Sequence, residues 1–172
     1  MQTFTSASTS INKYKLPAVF RKARFNHGDT VLDYGCGKYT DHVRRFLAEN
    51  SDGSINYCPW DMYNQPDAVN CASLLEVAAN GGANVIICSN VLNVIDSDAV
   101  VSNIAESMKG LLGTLDGTIC VTVYEGDKTG VGRQTGPDQY QRNEKLKNYI
   151  KYFKSSGWTC SIRNNVLYVR KE

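Results

Sequence analysis

After Asn84 the chain runs Val-Ile-Ile-Cys88 without a polar residue, and this short stretch restricts the fold more than any other. It is too brief for a helix and offers no polar face to water. Strands of that kind are buried on both sides, in parallel sheets with helices packed above and below. The rest of the chain supplies the pattern such a sheet needs. Residues 31–34, 54–58 and 117–124 read as further strands beside 84–88. Between them lie amphipathic helical patterns. Thr40 opens one with Val43, Phe46 and Leu47 inward, and Asn70 opens another with Leu74, Leu75 and Ala78 inward. Residues 97–112 carry a third, with a stripe of Val100, Val101, Ile104, Met108, Leu111 and Leu112. A helix, whole or broken near Pro17, is expected over 11–24. Another should run from Pro137 to Gly157 with Leu146, Tyr149, Ile150 and Phe153 on its core face. Residues 158–163 and 166–170, joined by Asn164-Asn165, predict a terminal antiparallel hairpin. The expected architecture is an open α/β sheet in one domain over 11–172, behind a flexible polar tail at 1–10.

In open α/β sheets the ligand lies beyond the carboxyl ends of the strands, where the strand order reverses. Gly35 and Gly37 stand there, after a strand and before a helix. Glycine allows a sharp turn and a close backbone approach, and the helix start presents free N–H groups. A dinucleotide fingerprint would need a third glycine at position 40, which is Thr40. Asp33, two residues before the loop, would repel a pyrophosphate and suits a cationic ligand. Asp61 follows the second strand, where a carboxylate can accept the hydroxyls of a ribose. Each of these acids could instead be a plain strand-end or capping group.

Three segments in this order, Val31-Leu-Asp-Tyr-Gly-Cys-Gly37, Trp60-Asp-Met62 and Ile86-Ile-Cys-Ser-Asn-Val-Leu92, resemble the Rossmann-like (class I) S-adenosylmethionine-dependent methyltransferases. The resemblance implies a three-layer sandwich with a mostly parallel seven-stranded sheet and a C-terminal antiparallel hairpin. It implies S-adenosylmethionine as cofactor, with Asp33, Tyr34, Gly35, Cys36 and Gly37 around its methionine part and Asp61 on its ribose. Met62 and Tyr63 would pack on adenine, Asn70 and Cys71 would read its amino group, and Ser89, Asn90 and Val91 would line the site after the strand at 84–88. Where the family often has a third glycine this chain has Tyr39. Residues 124–126 and 139–143 also look similar to small methyltransferase-like proteins of phages and prophages.

Nothing in the sequence names a methyl acceptor. Ser89-Asn-Val-Leu92 is not the Asn/Asp-Pro-Pro-Tyr type, and no Pro-Cys pair is present. Asn90, Tyr124, Glu125 and Arg133 are the candidates for the acceptor side. The glycine-rich loop 126–136 reads equally as a lid or as a solvated connection. His27 and His42 read as surface or packing residues. A net charge of +2 gives no argument for nucleic acid or an anionic membrane. Six cysteines without metal-ligand spacing read as small buried hydrophobes in a reducing cytoplasm (the host's, for a viral protein), and no metal is expected. Two other readings stay open: a non-catalytic protein that binds or sequesters S-adenosylmethionine or docks a partner, and a nicotinamide-dependent enzyme, which Thr40 disfavours. The acceptor and the oligomeric state stay undetermined.

Overall fold

The computed structural model describes residues 2–9, 14–51, 53–113 and 116–172. Four parallel strands form the centre: β1 (Thr30–Tyr34), β2 (Asn56–Trp60), β3 (Val85–Ser89) and β4 (Thr118–Thr122). The hairpin β7 (Trp158–Arg163) and β8 (Val166–Lys171) adds to β4 antiparallel, and the order is β2-β1-β3-β4-β8-β7. Asn164 and Asn165 turn this hairpin at φ 50° and 59°, the left-handed pair that a two-residue turn between twisted strands requires. A separate two-residue ladder joins β5 (Arg133–Gln134) to β6 (Tyr140–Gln141).

Among the described residues the main sheet therefore has six strands, not the seven that the resemblance implies. The difference lies between β4 and β7, where a loop closed by the small ladder runs instead. The long helix expected after Pro137 is also absent. A 3-10 turn, Leu146–Tyr149, leads directly into α4 (Ile150–Phe153). Residue 143 explains this: Asn143 sits at φ 56°, which a continuing helix cannot accommodate. The expected core face is nonetheless correct, since Leu146, Tyr149 and Phe153 are buried.

Side chains alternate across the sheet, and the alternation builds two cores. Leu32, Ile86, Cys88, Ile119 and Val121 face α2 (Asp67–Ala79), α3 (Asp98–Leu111) and α4. Val31, Val85, Ile87 and Cys120 face α1 (Asp41–Asn50) and the 3-10 turn Ala18–Arg21. That turn is the only helical piece within 14–24; residues 11–13 of the expected helix lie outside the described residues. Both crossovers join parallel strands, β1-α1-β2 between neighbours and β2-α2-β3 back across β1, so they run in opposite directions along the sheet and right-handedness puts their helices on opposite faces. The strand order consequently reverses at β1, leaving a crevice above β1 and β3.

Helix α2 corrects one expectation. It starts at Asp67 with Pro66 at the cap, so Asn70 lies inside it and caps nothing. The earlier start rotates the inward face to Asn70, Ser73 and Val77, while Leu75 is 71% exposed. Thr40 does stand at the start of α1, without a capping bond from its side chain, and Ser97 caps α3 by accepting from the Val100 N–H. No described helix is long and apolar enough to cross a membrane.

Residues 2–8 lie along the protein with definite partners. The Thr3 N–H donates to both Asp96 carboxylate oxygens at 3.1 and 3.0 Å, the Ser6 N–H donates to the Asp138 carbonyl at 2.8 Å, and Phe4 stacks on Tyr140 at 5.7 Å. The helix register sets a stability contrast. Met108→Ala, which empties a fully buried site on α3, should lose about 2–5 kcal/mol. Leu75→Ala should stay within about 0.5 kcal/mol, because that side chain faces solvent. Urea denaturation of the two variants measures both, and a large loss at Leu75 would reject this register.

Candidate functional site

The crevice above β1 and β3 is a cavity of about 600 Å³. Its floor is the loop after β1. Gly35 and Gly37 adopt φ 80° and 74°, left-handed values that glycine takes without strain. A Cβ on Gly35 would come within 2.3 Å of Val91 Cγ2, so the close approach of this loop to the chain leaving β3 also demands glycine.

The loop is locked to the end of β2. The Gly35 and Cys36 N–H groups donate to the Trp60 carbonyl at 2.7 and 3.2 Å. The Gly37 N–H donates to Asp61 Oδ2 at 2.9 Å, and Gln65 Nε2 donates to the Gly37 carbonyl at 2.6 Å. Asp61 Oδ1 accepts from the Tyr63 and Asn64 N–H groups, each at 2.9 Å. A carboxylate offers about four acceptor positions, so Asp61 retains about one for a ligand. Asn70, buried in α2, brackets the Asp61 backbone: Oδ1 accepts the Asp61 N–H at 2.9 Å, and Nδ2 donates to the Asp61 carbonyl at 3.0 Å. One turn on, Ser73 Oγ donates to the Pro59 carbonyl at 2.6 Å. These two polar residues face inward because the end of β2 offers backbone groups that need partners.

Asp33 is a different kind of acid. It is 4% exposed and lines the cavity, with the Tyr57 hydroxyl donating to Oδ2 at 2.6 Å. Burial pushes its carboxyl up to about 7; the Tyr57 hydrogen bond opposes this, and the Asp61 charge adds to it.

Of the residues singled out by sequence, Asp33, Tyr34, Gly35, Cys36, Gly37, Asp61, Met62, Tyr63, Ser89, Asn90 and Val91 all line this one cavity. Asn70 and Cys71 do not. Met62, Tyr63 and Tyr39 are 63%, 47% and 44% exposed, which places them at its mouth. Asn90, at φ 57°, turns the chain after β3 and ties its N–H to the Thr122 carbonyl at 2.8 Å; beside it Ser89 Oγ accepts from Thr122 Oγ1 at 3.1 Å. On the acceptor side the candidates separate. Tyr124 joins Asn90 on the cavity wall, whereas Glu125 and Arg133 do not reach it. Glu125 accepts the Leu146 N–H at 2.7 Å and pairs with Lys128 at 3.2 Å, which anchors the start of the 146–153 helix.

Several wall residues were given no place in the site by sequence: Trp60, though it stands in the quoted motif, and His42, Asn93, Tyr140, Gln141, Gln2, Thr5 and Ser6. Asn93, just beyond Asn90 after β3, was findable by position. Gln141 and residues 2–6 carry no local signal, because only the folded chain brings them there. Three of the lining side chains keep a buried polar atom without a hydrogen-bond partner: His42 Nδ1, Asn64 Oδ1 and Asn93 Oδ1. Two more such atoms, Asn143 Oδ1 and Tyr149 Oη, belong to residues that do not line it. The three on its wall lie where a bound molecule or water that reaches them would complete the network. Burial also lowers the His42 pKa, against the raising effect of Asp41.

No family model and no curated protein matches this sequence. Solved structures do share its fold. Over 84% of this chain and 72% of the other, it is similar (TM-score 0.57, 17% identity) to Burkholderia thailandensis 1,6-didemethyltoxoflavin-N1-methyltransferase, determined with 1,6-didemethyltoxoflavin and S-adenosylhomocysteine bound. Streptomyces venezuelae DesVI matches over 96% of this chain and 88% of its own, with TM-score 0.55 and 8% identity. An S-adenosylmethionine-dependent methyltransferase from Clostridium acetobutylicum matches over 84% of each chain, with TM-score 0.52 and 12% identity. These likenesses lend no support to the similarity with phage proteins around Tyr124. What they establish is the architecture: the chain has the Rossmann-like fold of the class I methyltransferases.

Proposed function

We propose that this protein binds S-adenosylmethionine in the crevice above β1 and β3 and transfers its methyl group. The observation that carries the proposal is the pairing, on one cavity, of a buried carboxyl at the end of β1 with a glycine loop locked to an acid at the end of β2. The residues present fit the cofactor. Asp33 offers a desolvated carboxylate to a cationic group, and a dinucleotide pyrophosphate would meet repulsion at the same place. Asp61 has about one acceptor position left, and Asn64, with its unpartnered Oδ1, stands beside it for a second hydroxyl. Met62 and Tyr63 offer apolar surface at the mouth. When bound, S-adenosylmethionine supplies a methyl group already activated by its sulfonium leaving group. The protein's share is then to position an acceptor and exclude water, which requires no fixed acid–base pair.

Isothermal calorimetry should show S-adenosylmethionine and S-adenosylhomocysteine binding, with no binding of NAD or NADP. Dinucleotide binding alone would overturn the proposal. Asp61→Ala should weaken S-adenosylhomocysteine binding by tenfold or more, roughly the loss of one charge-assisted hydrogen bond plus the loop's anchor. Transfer of labelled methyl onto the small-molecule, protein or nucleic-acid fraction of a lysate tests turnover, and tight binding without transfer would favour the non-catalytic reading.

Asp33 gives the pH dependence. A cationic ligand needs its carboxylate ionised, so affinity should rise as pH increases through about 7, and Asp33→Asn should abolish that rise. The free protein carries the linked effect. Between roughly pH 4 and 7 the folded state holds a proton on Asp33 that the unfolded chain has lost, so stability falls as pH rises. The slope is at most about 1.4 kcal/mol per pH unit, and Asp33→Asn should flatten it in urea titrations.

A further inference from the structure

The two ends of the cavity differ in chemistry. The ends of β2 and β4 lie three strand spacings apart, roughly 14 Å at about 4.8 Å per step. The β1–β2 end holds both carboxylates that line the cavity, Asp33 and Asp61. The opposite end, built by the chain after β3 and β4 and by β6, is lined by Val94, Ile95, Val100, Ile104, Tyr124 and Tyr140, with two amides, Asn93 and Gln141. Among the described residues of that end none carries a charged side chain, while Lys15, which also lines the cavity, stands beside His42 at the start of α1. An ionised ligand at the neutral end would lose hydration without gaining an adjacent counter-charge.

The amides form a chain of fixed direction. The Tyr124 carbonyl can only accept, and it accepts from Gln141 Nε2 at 2.8 Å. Gln141 Oε1 then faces Asn93 and accepts from its Nδ2 at 3.1 Å. Asn93 Oδ1 is what remains: its residue is 2% exposed, and the oxygen has no partner. The relay thus ends just beneath the wall on an unspent acceptor, the complement of an N–H or O–H donor that reaches it. The Tyr124 ring, 65% exposed, stands on the same wall as a free aromatic face.

The cavity is also partly covered by the start of the chain. Gln2, Thr5 and Ser6 line it, and the segment that carries them is fastened at Asp96 and Asp138. Ser6 itself is 4% exposed, and its Oγ donates to the Val94 carbonyl at 3.2 Å and accepts from the Tyr140 N–H at 3.3 Å. A strand of nucleic acid or a protein segment would have to displace this strap, whereas a small molecule fits beneath it.

We infer that the β3–β4 end of the cavity is the acceptor's binding site, and that it takes a small, uncharged aromatic or heterocyclic molecule held by an N–H or O–H donor on Asn93 and by the ring of Tyr124. The inference rests on the methyl-donor reading in naming this ligand the acceptor. Saturation-transfer NMR on protein loaded with S-adenosylhomocysteine tests it, using uracil, indole and phenol as neutral probes and benzoate and benzylammonium as charged ones. The neutral probes should bind and the charged ones should not. Asn93→Leu should lower neutral-probe affinity about tenfold, the equivalent of about 1.4 kcal/mol. Its affinity for S-adenosylhomocysteine reports whether the fold is intact. Tyr124→Ala, which removes an exposed ring and no core packing, should lower neutral-probe affinity severalfold and serves should Asn93→Leu fail to fold. Charged probes binding as well as neutral ones, wild-type affinity in both variants, or displacement of the neutral probes by S-adenosylhomocysteine would each overturn the inference. If S-adenosylhomocysteine does not bind but uracil binding still depends on Asn93, the donor reading fails and the neutral site stands. If S-adenosylhomocysteine binds and no neutral probe does, the inference fails alone.

Discussion

The carboxylate of Asp61 holds the site together. It receives three backbone N–H groups, one from the glycine loop after β1 and two from the turn after β2. These donors belong to two loops that the Trp60 carbonyl and the Gln65 amide also tie together, and each would be costly to leave unpaired. Asn70 extends the lock by holding both backbone groups of Asp61 from α2. One acid and one amide therefore fix the mutual position of two strand ends and a helix. The approach of Gly35 to Val91 ties in the exit of β3 as well.

That arrangement sets Asp33 and Asp61 to different tasks although both are buried. Asp61 spends most of its acceptor positions on its own chain and so acts largely as architecture. Asp33 accepts from the Tyr57 hydroxyl, and its carboxyl is pushed up to about 7 because burial outweighs that bond. A group held in this way destabilises the empty protein and is relieved by a positive ligand. Perturbed groups of this kind concentrate at functional sites, and here the perturbation has an identified cause on a cavity wall.

The central strands and their neighbours were legible because burial on two faces leaves an unbroken apolar run, and the hairpin because Asn164-Asn165 admits one turn type. The glycine loop and the two acids were legible for the same reason: backbone geometry and charge are local properties. What was missed depended on partners remote in sequence. Asn70 looked like a cap because its target, the Asp61 backbone, cannot be seen from within α2. The helix expected from Pro137 failed at Asn143, where the chain turns left-handed; its neighbour Arg142 is buried by partners before α3, on α3 and on α4, bonding the Ile95 carbonyl, Asp98 and the Tyr152 hydroxyl. The amide relay lay beyond reach too, since Asn93 and Gln141 are 48 residues apart.

Arg142 also bears on why the far end of the cavity is neutral. Its guanidinium is buried next to Gln141, close enough in sequence to have charged the wall. Instead it points to the other side of the β6 chain, where Asp98 and Glu144 neutralise it. The two side chains part company at this point: Gln141 bonds Asn93 and the Tyr124 carbonyl at the cavity, while Arg142 bonds the Ile95 carbonyl, Asp98 and Tyr152. The same two residues pin β6 between the sheet and the strap, because the Arg142 N–H donates to the Asn93 carbonyl at 2.9 Å while Gln141 holds the Asn93 side chain. Neutrality of the wall and rigidity of its hydrogen-bonding pattern thus have one origin. A ligand entering there meets amides already oriented by the fold, and selection between a neutral donor and an ion follows from Arg142 being drawn away to Asp98 and Glu144.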